Sequence, residues 1–151
     1  MKFHDFNVGL KMQAQPFEVT RDEILSYVQS YDPIHVHHDD EYARSTIYQD
    51  LIASGIHMVA LILREGIKLF QLERDCFGGS ELSKVQWVAP VYAGSILTPS
   101  FRIAEMQDRG DANYGIVTVQ FTAYNQEHHL VVIGKVNLLI RKEIHGSQKS
   151  N

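Results

Sequence analysis

The sequence predicts an α+β fold, with helices in the first half, antiparallel strands in the second, and one helix buried against the sheet. Two observations carry that expectation. From about Ser54 to Leu72 the chain has helical spacing and is apolar on nearly every side over its first half, so this helix must be covered on more than one face. After Gly78-Gly79 the hydrophobic period changes from helical to two, as half-buried strands require.

Thr20-Arg21-Asp22-Glu23 has the form of a capping box, and Ile24, Leu25 and Val28 follow at helical spacing. This first helix should end before Pro33, because the residue ahead of a proline avoids the helical region. Residues 31–38 then form a loop. Asp39 can cap a short second helix, with Asp40 and Glu41 in its first turn and Ala43 on its inner face. In the long third helix Ile56, Val59, Ala60, Leu63 and Ile67 make one stripe, while Met58, Leu61, Ile62 and Leu69 fill much of the rest. Gly55 near its start is a poor helix former but leaves its backbone N–H open to a ligand.

Val85, Trp87 and Ala89 alternate with Lys84, Gln86 and Val88, and Trp87 is expected in the core. Pro90 to Gly94 reads as a turn. Residues 96–107 form a strand in which Pro99 marks an edge or a bulge. Asp108 to Asn113 connects it to a strand whose Val117, Val119, Phe121 and Ala123 share one face. Gln126-Glu127 sits at a hairpin tip, and Leu130, Val132, Val136, Leu138 and Ile140 make the buried face of the last strand. Residues 1–145 are expected to be a single domain, and the small, polar tail 146–151 to be disordered.

Bulk properties narrow the function. A chain of 151 residues fits one domain and buries roughly two thirds of its unfolded surface. Its net charge is -4 with no basic stripe, which argues against nucleic acid as a partner. The single cysteine, Cys76, cannot form an internal disulfide, so a reducing compartment is the simpler expectation. Met1-Lys2-Phe3-His4-Asp5 lacks the apolar centre of a signal peptide. The longest strictly apolar run, Met58 to Leu63, is far short of the ~18 residues that span a bilayer. The expectation is a soluble, cytoplasmic protein with no membrane partner.

The chemistry concentrates in Tyr31-Asp32-Pro33-Ile34-His35-Val36-His37-His38-Asp39. A carboxylate and an imidazole in one rigid loop can hold a water between them, one taking its proton while the other gives a proton to substrate. Histidine suits the task because its ordinary pKa lies near working pH. On its own, Asp32-Pro33 also reads as a common turn, and Gly55 as a point of close packing.

This loop resembles the signature of the MaoC-like hydratase/dehydratase family, which includes the R-specific enoyl-CoA hydratases. The family motif Asp-x-Asn-Pro-x-His-x-Asp, with its variant Tyr-Asp-Pro-Gln-Pro-Phe-His-x-Asp, falls without gaps on this chain. It makes Asp32 the signature aspartate, His37 the signature histidine and Asp39 the helix cap, and Ala43 falls on the alanine that follows. Leu51-Ile52-Ala53-Ser54-Gly55-Ile56-His57 resembles the segment that opens the family's central helix. Val85-Gln86-Trp87-Val88-Ala89-Pro90-Val91, closed by Gly94, resembles its strand and Pro-Val-x-x-Gly turn. The likeness spans roughly residues 15–142.

The resemblance implies a hot-dog fold, a curved antiparallel sheet wrapped around one long helix. It implies a substrate that is an acyl-CoA or acyl-carrier thioester, with Asp32 as base on water, His37 as proton donor and the Gly55 N–H holding the thioester oxygen. Ile34, Ser54, Ile56 and His57 would contact substrate. It implies no cofactor and no metal, and a homodimer or higher even assembly. The chain departs from the pattern at Ile34, where the family has Asn or Gln, at His35, where it has Pro, and at Ser95, where Asp is common.

Three other readings stand beside this one. His35-x-His37-x-Asp39 matches the start of the His-x-His-x-Asp-His motif of metallo-β-lactamases, with Asp40 in the place of the last histidine; that would make a metal-dependent hydrolase. A hot-dog thioesterase usually carries its carboxylate in or beside the central helix, where this chain has Ile56, His57 and Met58. A non-catalytic acyl-binding module would need neither.

Overall fold

The computed structural model of the chain describes residues 1–143; the tail 146–151 lies outside the described residues. Helix α1 spans Arg21–Tyr31, α2 Asp40–Arg44 and α3 Gly55–Leu69. The capping box forms as expected. The Thr20 hydroxyl accepts the Glu23 N–H at 3.2 Å, and the Glu23 carboxylate accepts the Thr20 N–H at 3.3 Å. Asp39 caps α2 by accepting the Tyr42 N–H at 3.0 Å. Arg21 and Asp40 make an ion pair at 2.6 Å that joins the starts of α1 and α2. Both side chains are exposed, so the pair contributes at most about 1 kcal/mol.

Among the described residues six strands follow in chain order, β1 (Lys11–Gln13), β2 (Phe17–Glu18), β3 (Cys76–Trp87), β4 (Ile96–Asp108), β5 (Tyr114–Tyr124) and β6 (Leu130–Arg141). All pairings are antiparallel, in the order β1-β4-β5-β6-β3, with β2 on the start of β4. Helix α3 lies on β4 and β5. Met58, Val59 and Ile62 from the helix join Phe101, Ile103, Val119 and Phe121 from the strands in the core. The approach is close: a Cβ added at Gly66 would stand 2.8 Å from the Phe101 ring. This curved sheet around one long helix is the hot-dog arrangement, and the fold is α+β.

Several sequence expectations change in detail. The first half of α3 is not covered all round, since Ile56 and Ala60 are exposed while Met58, Val59, Leu61 and Ile62 are buried. A helix that is apolar on every side gives no period from which its sheet-facing side can be read. Strand β3 starts at Cys76 and runs through the two glycines. Its register against β6 shifts three times, and Gly78 and Lys84 have φ of +113° and +52°. Such bulges break the alternation that a period-two reading depends on. Trp87, expected in the core, is half exposed instead.

Pro99 sits inside β4, opposite Ala123 of β5, and the bulge of β4 lies further along, between Ile103 and Glu105. The Pro99 carbonyl accepts the Ala14 N–H at 2.9 Å, so its missing N–H belongs on the β1 side. Strand β1 ends one pair earlier, at Gln13 opposite Ser100. The proline therefore removes no ladder bond. Residues 1–19, in which sequence patterning marks no element, add the short strands β1 and β2 and a 3-10 turn at Phe3–Asp5. Phe3, Phe6, Ala14 and Val19 anchor that segment in the core.

Candidate active site

Helix α1 stops at Asp32, whose φ of -153° and ψ of 72° turn the chain out of the helix one residue ahead of Pro33. A 3-10 turn at His35–His37 brings the chain back and buries His37, which is 5% exposed. The result places His37 Nε2 3.3 Å from Asp32 Oδ2. On the other side of the ring, Nδ1 lies 2.7 Å from the Ile52 carbonyl. That carbonyl is itself held in place. The Ile52 N–H donates to the Val36 carbonyl at 3.3 Å, Ile52 bridges to Tyr92, and the Ala53 N–H donates to the Val91 carbonyl at 2.8 Å.

A carbonyl oxygen can only accept, so His37 Nδ1 carries a proton in this arrangement. Nε2 is thereby left facing the Asp32 carboxylate. The geometry sets a carboxylate and an imidazole side by side, with the ring orientation set by Ile52.

Asp32 and His37 open into a cavity of about 470 Å³, lined also by Tyr48, Gly55, Ile56 and Trp87 and closed by Val88–Val91. Gly55 is the first residue of α3. Its N–H has no carbonyl within the helix to bond, and the helix N-terminus carries partial positive charge. The cavity therefore combines a carboxylate–imidazole pair with a donor suited to an oxyanion.

The structure does not gather every expected contact. Ile34 is exposed and does not line the cavity. Ser54 is fully buried and does not line the cavity, its hydroxyl unpaired among the described residues. His57 follows Gly55 by two residues, so helical geometry turns it ~200° away. There it stacks on Tyr27 with ring centres 4.3 Å apart and planes 3° apart. Of the four expected substrate contacts only Ile56 reaches the cavity. Conversely, sequence reasoning passed over Tyr48 and Trp87. Tyr48 has no motif to mark it. Trp87 lies within a block that the family resemblance singled out, but alternation assigned it to the core.

The three neighbouring imidazoles point to different partners. His35 Nδ1 is 3.4 Å from Asp39 Oδ2, His37 turns to Ile52 and Asp32, and His38 Nε2 donates to the Pro33 carbonyl at 3.1 Å. Among the described residues no group of three His, Cys, Asp or Glu side chains comes together to hold a metal ion. The His35-His37-Asp39 alternation that suggested ligands therefore does not form a site. The Asp39 carboxyl is held below its ordinary range, chiefly by the Tyr42 N–H and then by His35, as a helix cap requires.

Burial pushes the His57 imidazole below its ordinary value of 6.5, with Glu23 opposing and Arg64 reinforcing the shift. The unfolded chain then binds this proton more readily than the folded one. His57 contributes stability that is present above about pH 6.5 and is lost as pH falls through the lower folded-state value. Wild-type Tm is expected to drop between about pH 7 and pH 5, and His57→Leu to drop less over the same range. Parallel Tm curves for the two proteins would contradict this role.

No helix among the described residues is long and apolar enough to cross a membrane. The family model for the MaoC like domain matches residues 5–125. "Uncharacterized protein YdeM" of Bacillus subtilis (strain 168) is 29% identical over 144 residues, covering 94% of this chain and 100% of that protein. The solved structure of a monoamine oxidase regulatory protein from Archaeoglobus fulgius superposes with a TM-score of 0.85 at 27% identity, covering 95% of this chain and 96% of the other. R-hydratase PhaJ1 from Pseudomonas aeruginosa superposes with a TM-score of 0.71 at 19% identity, covering 99% and 94%; at that identity the likeness concerns the fold. With a family match across most of its length, and Asp32, His37 and Gly55 gathered around one cavity, the chain belongs to the MaoC-like domain family.

Proposed function

We propose that the protein reversibly adds water to a trans-2-enoyl thioester to give the R-3-hydroxyacyl thioester. The observation that carries this reading is the Asp32–His37 pair, 3.3 Å apart and opening into the cavity that Gly55 lines. The R-hydratase likeness of the fold supports it. In the hydration direction Asp32 takes a proton from water as the water oxygen bonds to the β-carbon. The electron pair of the double bond moves toward the thioester oxygen, which the Gly55 N–H stabilises. His37 Nε2–H then protonates the α-carbon. The pair ends with the proton on Asp32 and a lone pair on Nε2, and one transfer between them restores the starting state.

The test is loss of enoyl absorbance with crotonyl-CoA and longer chains, followed by chiral analysis of the product. Release of free CoA without hydration would favour the thioesterase reading and sink this one.

We also propose a homodimer or higher even assembly. Strand β3 has only β6 beside it among the described strands, which leaves an edge of unpaired backbone groups. Phe77 and Leu82 on that strand are exposed. Closed two-fold pairing is the usual way to cover such features. Light scattering at micromolar concentration is expected to give at least twice the 17.2 kDa chain mass. A monomer mass would contradict it.

A further inference from the structure

Trp87 is the sole tryptophan of the chain, and it is 49% exposed. An indole left half in water forgoes much of the stabilisation its burial would give, so its placement calls for an explanation. The strand presents it deliberately. The register of β3 shifts between Ser83 and Gln86, then returns to regular pairing at Gln86 opposite Ile133 and Trp87 opposite Val132. A bulge at that point re-aims the side chains that follow it.

The indole comes to rest on the start of α3. A Cβ added at Gly55 would lie 2.4 Å from Nε1, 2.5 Å from Cε2 and 2.9 Å from Cδ1. Distances so nearly equal place that point above the ring face rather than beyond its edge, so the indole lies flat on the Gly55 Cα. Ile56 and Val88, both more than half exposed, line the same cavity. The cavity that contains the polar pair therefore also has an apolar wall, and its largest member sits at the oxyanion donor.

We propose that Trp87 is the specificity-determining residue of the site, its indole packing against the first carbons of the acyl group and setting the channel width at the α-carbon. The proposal rests on the hydratase reading above. A thioester oxygen bound to the Gly55 N–H brings its α-carbon, two bonds away, to the place the indole walls. An unbranched chain passes beside the ring. A methyl branch at the α-carbon meets it, as a Cβ at Gly55 would. One methylene in a tight apolar pocket is worth about 10- to 200-fold in kcat/KM.

The test compares crotonyl-CoA with its 2-methyl analogue. Wild type is expected to prefer the unbranched substrate at least ~10-fold, and Trp87→Ala to lower that ratio by ~10-fold or more, with Trp87→Phe between them. An unchanged ratio overturns the proposal while leaving hydration itself intact. A second measurement covers the case in which Trp87→Ala does not fold. The wild-type tryptophan emission, excited selectively over that of tyrosine, comes from Trp87 alone, so titration with butyryl-CoA, which cannot be hydrated, is expected to change it saturably, while free CoA leaves it unchanged. Binding of butyryl-CoA in equilibrium dialysis without a change in emission overturns the proposal. Absence of both binding and hydration with every thioester overturns the hydratase reading and this one with it.

Discussion

Asp32→Asn and His37→Gln are each expected to lower turnover by on the order of 100-fold or more, and the double variant to fall little further. Asp32→Asn keeps the shape of the side chain but removes the base. His37→Gln keeps a hydrogen-bonding group but removes the proton donor. The near-saturation in the double variant follows from the geometry. On the proposed mechanism Asp32 and His37, 3.3 Å apart, exchange one proton in each turnover, and groups that act as a unit are not additive. Once either is gone the other has no partner to exchange with. His35→Ala is expected to be mild, because His35 is exposed and turned toward Asp39. Steady-state hydration assays on the wild type and the four variants decide the matter. An essential His35 with a dispensable Asp32 would reassign the site, since that pattern belongs to a metal-ligand reading of the loop and not to an acid–base pair.

The legible parts of the sequence were those where one local interaction decides the structure. The Thr20–Glu23 capping box, the Asp39 cap and the stop before Pro33 each depend on residues within four positions, and each forms. The pairing of Asp32 with His37 came from the family resemblance, since Asp32-Pro33 on its own also read as a turn; in the structure a helix end, a proline and one 3-10 turn bring the two together. The parts that were not legible depend on distant pairing. Which side of α3 meets the sheet is decided by β4 and β5, and nothing in an all-round apolar helix records it. The exposure of Trp87 depends on a bulge set by the pairing of β3 with β6. For His57 the substrate contact came from the family block alone; two residues along a helix from Gly55 turn its side chain to the opposite face, where it stacks on Tyr27 in a structural role.

Gly55→Ala separates two roles that the sequence could not. As a donor, Gly55 needs only its N–H, which alanine keeps. As a packing position it needs the absence of a Cβ, because that atom would lie 2.4 Å from the Trp87 Nε1. The backbone does not require glycine here, since Gly55 is not among the positions of positive φ. Alanine is otherwise the better helix former, by up to about 1 kcal/mol. A clash is therefore the only destabilising contribution, and overpacking of this kind costs about 1–3 kcal/mol. The indole or the helix start must move, and either shift disturbs the oxyanion donor. Gly55→Ala is thus expected to lose ~100-fold in kcat/KM and to lower Tm. In a Trp87→Ala background the same substitution should become neutral or stabilising, because the clashing ring is gone. The reversal of sign is the signature, and a double-mutant cycle on Tm reads it directly. If Gly55→Ala raised Tm with Trp87 in place, the contact between indole and helix start would be too loose to hold either the donor or the channel wall.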